Sequence, residues 1–150
     1  MILKMTKTNK KQLIELAFNY ANKSGDPHLK VGAVLIERYK SGSKTHFSVC
    51  AEGHNHLPKP YKHLGYKDEN DKTRPEVIHA EAHALSYLMK NDVIGENIHY
   101  DLFSTLSPCM ECAKLISLSP IKKVYFYNYY KDTAPLEFLR KCGVKTEQIL

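Results

Sequence analysis

Thr105-Leu106-Ser107-Pro108-Cys109-Met110-Glu111-Cys112-Ala113-Lys114-Leu115-Ile116 turns a strand into a helix within a few residues. Residues 98–105 before it are rich in apolar and aromatic side chains, as a strand requires, and residues 108–118 have the length and apolar spacing of a helix. Ser107 is a residue type that caps helices, and Pro108 suits the first helical position because its missing N–H would find no intrahelical partner there. The passage therefore predicts a strand followed directly by a helix, with Cys109 and Cys112 in its first turn. Cysteines three apart share one helix face, and the positive helix end lowers the pKa of a thiol. Both sulfurs are thus set to reach one ion.

Outward from this passage the two periodicities alternate. Leu13, Leu16, Ala17, Tyr20 and Ala21 recur at three- and four-residue steps, so residues 8–23 read as an amphipathic helix stopped by Ser24-Gly25-Asp26-Pro27. Residues 31–36 form a short β-rich run, and Ser41-Gly42-Ser43 turns the chain into a second run over residues 45–51, which predicts a hairpin. Residues 53–76 contain Pro58, Pro60, Gly65 and Pro75 without periodicity; a loop of that length in a compact domain is commonly functional. A helix follows Pro75, with Ala82, Leu85, Leu88 and Met89 as its apolar face and an end near Asn91. Beyond the quoted passage, residues 123–127 predict a strand, 135–142 a helix stopped by Gly143, and 144–149 a last strand. The order α-β-β-α-β-α-β-α-β predicts an α/β fold, a three-layer α-β-α sandwich around a mixed sheet of about five strands.

The 150 residues suit a single domain spanning 1–150, and a chain of that length buries about 70% of its unfolded surface without disulfides. No run of apolar residues is long enough to span a membrane, and Met1-Ile2-Leu3-Lys4 is too short an apolar start for a secretion signal, so a cytoplasmic protein with reduced thiols is expected. Cys50 and Cys142 are expected to pack as small hydrophobes. The net charge of +6 is diffuse, with Lys59, Lys62, Lys67, Lys72 and Arg74 in the middle of the chain. It suits one anionic group on a small ligand, whereas a polynucleotide needs a continuous basic stripe. Along Tyr125-Phe126-Tyr127, strand alternation puts the tyrosines on one face and Phe126 on the other, which is core packing, while Tyr129 and Tyr130 lie beyond the strand, open as pocket or interface residues.

His79-Ala80-Glu81 adds the remaining chemistry. With Cys109 and Cys112, His79 completes three protein ligands for a zinc ion and leaves the fourth tetrahedral position to water, as in catalytic sites. Glu81, two residues from that ligand, is placed to carry the water's proton. His83 stands at i+4 from His79, the spacing of HExxH proteases, but here the carboxylate falls at i+2, so His83 reads as a packing or supporting residue.

The pairing of HxE with PCxxC resembles the zinc nucleobase deaminases. With Ser24-Gly25-Asp26-Pro27, Val31-Gly32-Ala33-Val34, Gly53-His54-Asn55, Tyr130-Lys131-Asp132 and Leu139-Arg140-Lys141-Cys142-Gly143-Val144, most of the chain is similar to the cytidine deaminase superfamily. The run Glu111-Cys112-Ala113-Lys114-Leu115-Ile116 is most similar to its deoxycytidylate deaminase branch, which converts dCMP to dUMP. That resemblance implies one catalytic zinc per subunit, with Glu81 also touching the pyrimidine N3. It implies that Asn55 bonds the sugar hydroxyl, that the backbone at Ala80 reads the pyrimidine carbonyl, and that the Ser107 carbonyl accepts from the 4-amino group. Asp26, Lys30 and Asp132 match positions near the substrate or its phosphate. Homo-oligomers, commonly hexamers, with activation by dCTP and Mg2+ and inhibition by dTTP, are implied as well. Two departures stand out: Gly53-His54-Asn55-His56 replaces the usual GYNG, which bears on the effector site, and the 53–76 loop lacks the cysteine that a second zinc site uses in some viral members. The tRNA adenosine deaminases share both motifs but carry small residues after the second cysteine, unlike Ala113-Lys114-Leu115-Ile116. A zinc-binding interaction module without activity is the non-enzymatic alternative, and Glu81 beside His79 speaks against it.

Overall fold

The computed structural model describes residues 5–91 and 97–150; the first four residues, including Lys4 and the short apolar start, lie outside the described range. Five strands, β1 (Gly32–Ser41), β2 (Lys44–His54), β3 (His99–Leu106), β4 (Ile121–Asn128) and β5 (Lys145–Gln148), form one sheet in the order β2-β1-β3-β4-β5. Pairing is antiparallel from β2 through β1 to β3 and parallel from β3 through β4 to β5, so the sheet is mixed. Among the described residues, four α-helices accompany it: α1 (Lys7–Ala21), α2 (Ala80–Lys90), α3 (Met110–Leu118) and α4 (Ala134–Lys141).

The helices divide between the two faces because β3 alternates. Leu102 and Tyr100 join Ala80, Ala84, Leu85, Ala113, Ile116 and Leu139 in a core built by α2, α3 and α4. Phe103, with Val34, Ile36 and Tyr125, packs against Leu13, Ile14 and Ala17 of α1 on the opposite face. The three-layer α/β sandwich expected from the element order is the fold observed. Each fully buried side chain of the Leu102 or Phe103 kind contributes roughly 1.5–3 kcal/mol of apolar burial.

The hairpin extends well past its apolar run. The β1–β2 register continues from Gly32↔His54 to Ser41↔Lys44, with one irregularity at Leu35/Ile36, although side chains beyond Ile36 are progressively exposed. Backbone pairing, not burial, carries these outer residues, and Gly42 takes the left-handed turn position at φ 65°. Gly32 and Gly53 do the reverse, admitting other backbone: a Cβ on Gly32 would lie 1.9 Å from the Ala17 carbonyl oxygen, and one on Gly53 2.1 Å from that of Ala80. One glycine seats α1 on its face of the sheet, and the other seats α2 on the opposite face.

Three local expectations are corrected. Helix α2 buries Ala80, Glu81, Ala84 and Leu85, whereas Met89 is exposed, since the last turn runs past the sheet. Cys109, not Ser107, is the N-cap of α3, and Pro108 precedes the helix. Ser107 is not free to cap because its Oγ accepts the Tyr130 N–H at 2.7 Å. Cys142 is exposed at the C-cap of α4, where Gly143 stops the helix at φ 85°, while Cys50 is half-buried.

Candidate active site

Two helix N-termini converge at the carboxyl end of β3. His79 is the N-cap of α2 and Cys109 that of α3, yet neither side chain caps its helix. Both turn toward each other instead: His79 Nδ1 lies 3.4 Å from Cys109 Sγ and 3.5 Å from Cys112 Sγ. The three ligand atoms all fall within 4.8 Å of one another, the one such group of three among the described residues. One imidazole and two sulfurs suit zinc, and an incomplete tetrahedron leaves room for a fourth ligand.

Charge at the cluster also fits a cation. A hydrogen bond with Cys112 and a second with His79 hold the Cys109 thiol down at about 4, while Cys112 is raised by that bond to Cys109 and by burial. His79 is raised through its hydrogen bond with Cys109. The sulfurs thus retain a proton between them that a divalent ion would displace.

Glu81 is 4% exposed, in the first turn of α2. Its Oε1 accepts the Ser104 hydroxyl at 3.2 Å and its Oε2 the Cys112 thiol at 3.4 Å. Burial raises its pKa, with its own backbone N–H and His79 acting in the opposite direction. A carboxyl so placed exchanges a proton more readily near neutrality than an exposed one does, which is the property of a general acid–base.

His79, Glu81 and Cys109 open onto a cavity of about 290 Å³. That is close to the lower end for small-molecule sites. Ala80 and Ser107 line it, and Ser107 has its N–H committed to the Asn128 carbonyl at 2.8 Å. Asp26 and Asn55 line it too, but their side chains are engaged within the protein. Asn55 Oδ1 accepts the Val31 N–H at 2.8 Å and its Nδ2 donates to the Leu29 carbonyl at 2.8 Å. Asp26 Oδ1 accepts the N–H groups of His28 and Leu29 at 2.8 and 3.3 Å. The pair thereby shapes the wall formed by residues 26–31. Lys30 and Asp132 are not among the lining residues: Lys30 Nζ donates to the Ser24 carbonyl at 2.9 Å, and Asp132 accepts the Ala134 N–H ahead of α4.

The 3-10 turn Lys59–Leu64 and two isolated bridges, His56↔Ile78 and Lys67↔Thr73, order the loop between β2 and α2. From it, Lys67, Thr73 and Arg74 enter the cavity lining, as does Tyr130 from beyond β4. His83 accepts the His54 N–H at 3.3 Å through Nδ1 and sits with His54 and His56, ring centroids 4.6–5.2 Å apart. It supports the β2–α2 junction and is not among the clustered ligands. Sequence reasoning missed Ser104 as the partner of Glu81. Position parity on a strand whose partner helix was known would have found it.

Residues 7–128 match the family described as the cytidine and deoxycytidylate deaminase zinc-binding region. The mouse deoxycytidylate deaminase is 32% identical over 137 residues, covering 84% of this chain and 70% of the mouse protein. The Pongo abelii deoxycytidylate deaminase is 34% identical over 118 residues, covering 74% of this chain, which spans only 60% of that relative. Among solved structures, the dCMP deaminase of cyanophage S-TIM5, in complex with dCMP and dUMP, superposes with a TM-score of 0.80 at 31% identity, covering 97% of this chain and 99% of the phage chain. The chain therefore belongs to the cytidine and deoxycytidylate deaminase family.

Proposed function

We propose that this chain deaminates dCMP to dUMP, replacing the 4-amino group of cytosine with oxygen from water and releasing ammonia. The observation that carries the reading is Glu81, a buried carboxyl beside the His79, Cys109 and Cys112 donor set in a cavity sized for a small ligand. Likeness along nearly the whole chain to a phage enzyme that binds dCMP and dUMP supports the choice of nucleotide.

His79, Cys109 and Cys112 would hold zinc, which lowers the pKa of a coordinated water from 15.7 to about 7. Glu81 takes a proton from the attacking water and gives it to ring N3, then assists the second transfer that lets the amine leave as ammonia. Ser104, hydrogen-bonded to one carboxyl oxygen, keeps Glu81 oriented between these transfers. The Ala80 backbone reads the pyrimidine carbonyl and the Ser107 carbonyl receives the 4-amino group, while Asn55 and Asp26 set the wall beside the sugar.

The deciding assay is ammonia release from cytidine, deoxycytidine, dCMP, dCTP and an adenosine-containing RNA at fixed salt. Preference for dCMP supports the proposal, and turnover of RNA alone overturns it. The same reading extends to a homo-oligomer, hexameric in the family pattern, acting in the cytoplasm. Activation by dCTP with Mg2+ and inhibition by dTTP belong to it as well, and mass measurement with kinetics in each triphosphate tests them. Among the described residues, no helix is long and apolar enough to cross a membrane.

A further inference from the structure

Between Asn55 and His79 the chain builds a small hairpin over the cavity. The Lys67↔Thr73 bridge closes it, and the Arg74 N–H donates to the Tyr66 carbonyl at 2.9 Å. At its tip Asp68 Oδ1 accepts the N–H groups of Asn70 and Lys72 at 2.8 and 2.9 Å, and Asp71 takes the left-handed conformation at φ 60°. Arg74 Nε donates to the Leu64 carbonyl at 3.2 Å, which anchors the guanidinium and leaves its terminal nitrogens to other partners. This framework holds Lys67 and Arg74, both half-buried, in the wall of the cavity that contains His79 and Glu81.

Lys67 and Arg74 are the lysine and the arginine of that wall, and neither takes part in the five ion pairs found among the described residues. The acids that share the cavity are hydrogen-bonded to other groups. Asp26 spends its carboxylate on the His28 and Leu29 N–H groups and on the Asn55 amide, and Glu81 on Ser104 and Cys112. Asp68 is tied to the hairpin's own backbone, which holds its pKa down, and the Arg74 and Lys72 charges nearby help without forming an ion pair. Two cations without a salt-bridge partner among the described residues are therefore presented to a small ligand, while Lys30 stands outside the lining.

We propose that Lys67 and Arg74 recognise the 5′-phosphate and make this chain select a nucleoside monophosphate over the bare nucleoside. The assignment rests on the deaminase reading above. A guanidinium offers paired N–H donors to two phosphate oxygens, and an ammonium adds a point charge; together they match a dianion. A nucleoside lacking the phosphate would leave both cations facing water, so the hairpin favours the phosphorylated form without touching the pyrimidine.

Lys67→Met and Arg74→Met test this through the ratio of kcat/KM for dCMP to that for deoxycytidine. Each substitution should lower the ratio about 10- to 100-fold, the range for one charge-assisted hydrogen bond. Ratios unchanged in both variants, or equal losses on both substrates, overturn the assignment. Arg74→Met also removes the bond to Leu64, so if it fails to fold Lys67→Met decides alone, its Nζ having no protein partner among the described hydrogen bonds. Calorimetric binding of dUMP and deoxyuridine to the zinc-loaded chain separates the two proposals. If neither cytosine substrate turns over, the deaminase reading fails; a dUMP preference lost in Lys67→Met still supports the phosphate role, and equal affinities in the unmodified chain overturn it.

Discussion

Gly53→Ala should disable the site although Gly53 is not one of its residues. A Cβ at this position would stand 2.1 Å from the Ala80 carbonyl oxygen and 2.7 Å from the Ala84 nitrogen, where ordinary contact begins at 3.4 Å. The shortfall is 3.4 − 2.1 = 1.3 Å, and both obstructing atoms are backbone, so no rotamer change relieves it. Helix α2 must move away from β2 and take His79 and Glu81 with it, while Cys109 and Cys112 stay on α3. Overpacking of this kind costs about 1–3 kcal/mol. At about 3 °C per kcal/mol for a chain this long, Tm should fall by about 3–9 °C. Misplacement by about 1 Å lowers turnover about 100-fold. Gly32→Ala is the matched control: it drives a Cβ to 1.9 Å from the Ala17 carbonyl oxygen, so it should lower Tm comparably but cost much less activity, because α1 carries none of the site. Thermal melts followed by circular dichroism, with initial rates of ammonia release, read both effects. Gly53→Ala with Tm within 2 °C of the parent chain and at least half its rate would refute the reasoning, where about 2 °C is the shift expected from under 1 kcal/mol.

Glu81→Gln should cut kcat by about 100- to 10,000-fold while zinc content by elemental analysis stays near one per chain; more than a tenth of the parent rate contradicts the proton role. Ser104→Ala removes the hydroxyl that donates to Glu81 Oε1 at 3.2 Å and should cost about tenfold in kcat, consistent with about 1–1.5 kcal/mol for one such bond; an unchanged kcat would leave Ser104 without a positioning role. Stability should fall on acidification below the ordinary histidine value of 6.5. His54 and His83 are both depressed, by burial first and then by His56 beside them, with Lys23 or Lys90 adding to the effect and Glu52 opposing it. The unfolded chain therefore takes up protons in that range that the folded chain resists, so stability is retained above 6.5 and lost as pH drops toward the depressed values. His83→Asn should shrink the drop in Tm between pH 7.5 and 5.5, and an undiminished drop would count against the histidine origin.

The cluster of His79, Cys109 and Cys112 beside Glu81 was legible because its parts are local: Cys109 and Cys112 are one helical turn apart, and Glu81 is two residues from His79. Strands and helices were legible where hydropathy and backbone agree, as from Val31 to Ile36. They parted at the outer hairpin, where Tyr39, Phe47 and Val49 remain exposed and pairing alone extends the strands. The α3 cap was misread because capping competes with tertiary demand. Ser107 is claimed by Tyr130, and Cys109 occupies the cap position with its sulfur turned toward His79. Lys67 and Arg74 looked like two of many surface charges, since only the folded loop brings them to the cavity. Asn55 shows the converse: the sequence marked the position, but its amide is occupied in holding the wall of residues 26–31.

The His56↔Ile78 bridge closes through paired N–H donations of 3.0 and 2.8 Å. It clasps the chain immediately after Asn55 and immediately before His79, so the residues between begin and end at fixed points. Changes of length and composition that keep buried Leu57 and Val77 should therefore leave His79, Cys109 and Cys112 where they stand. The segment behaves as an exchangeable cassette: grafting a different loop between these two anchors should change which end of a nucleotide is tolerated while the deaminating chemistry remains in place. An engineer seeking a new substrate would then begin at residues 58–76 and leave the helix ends alone.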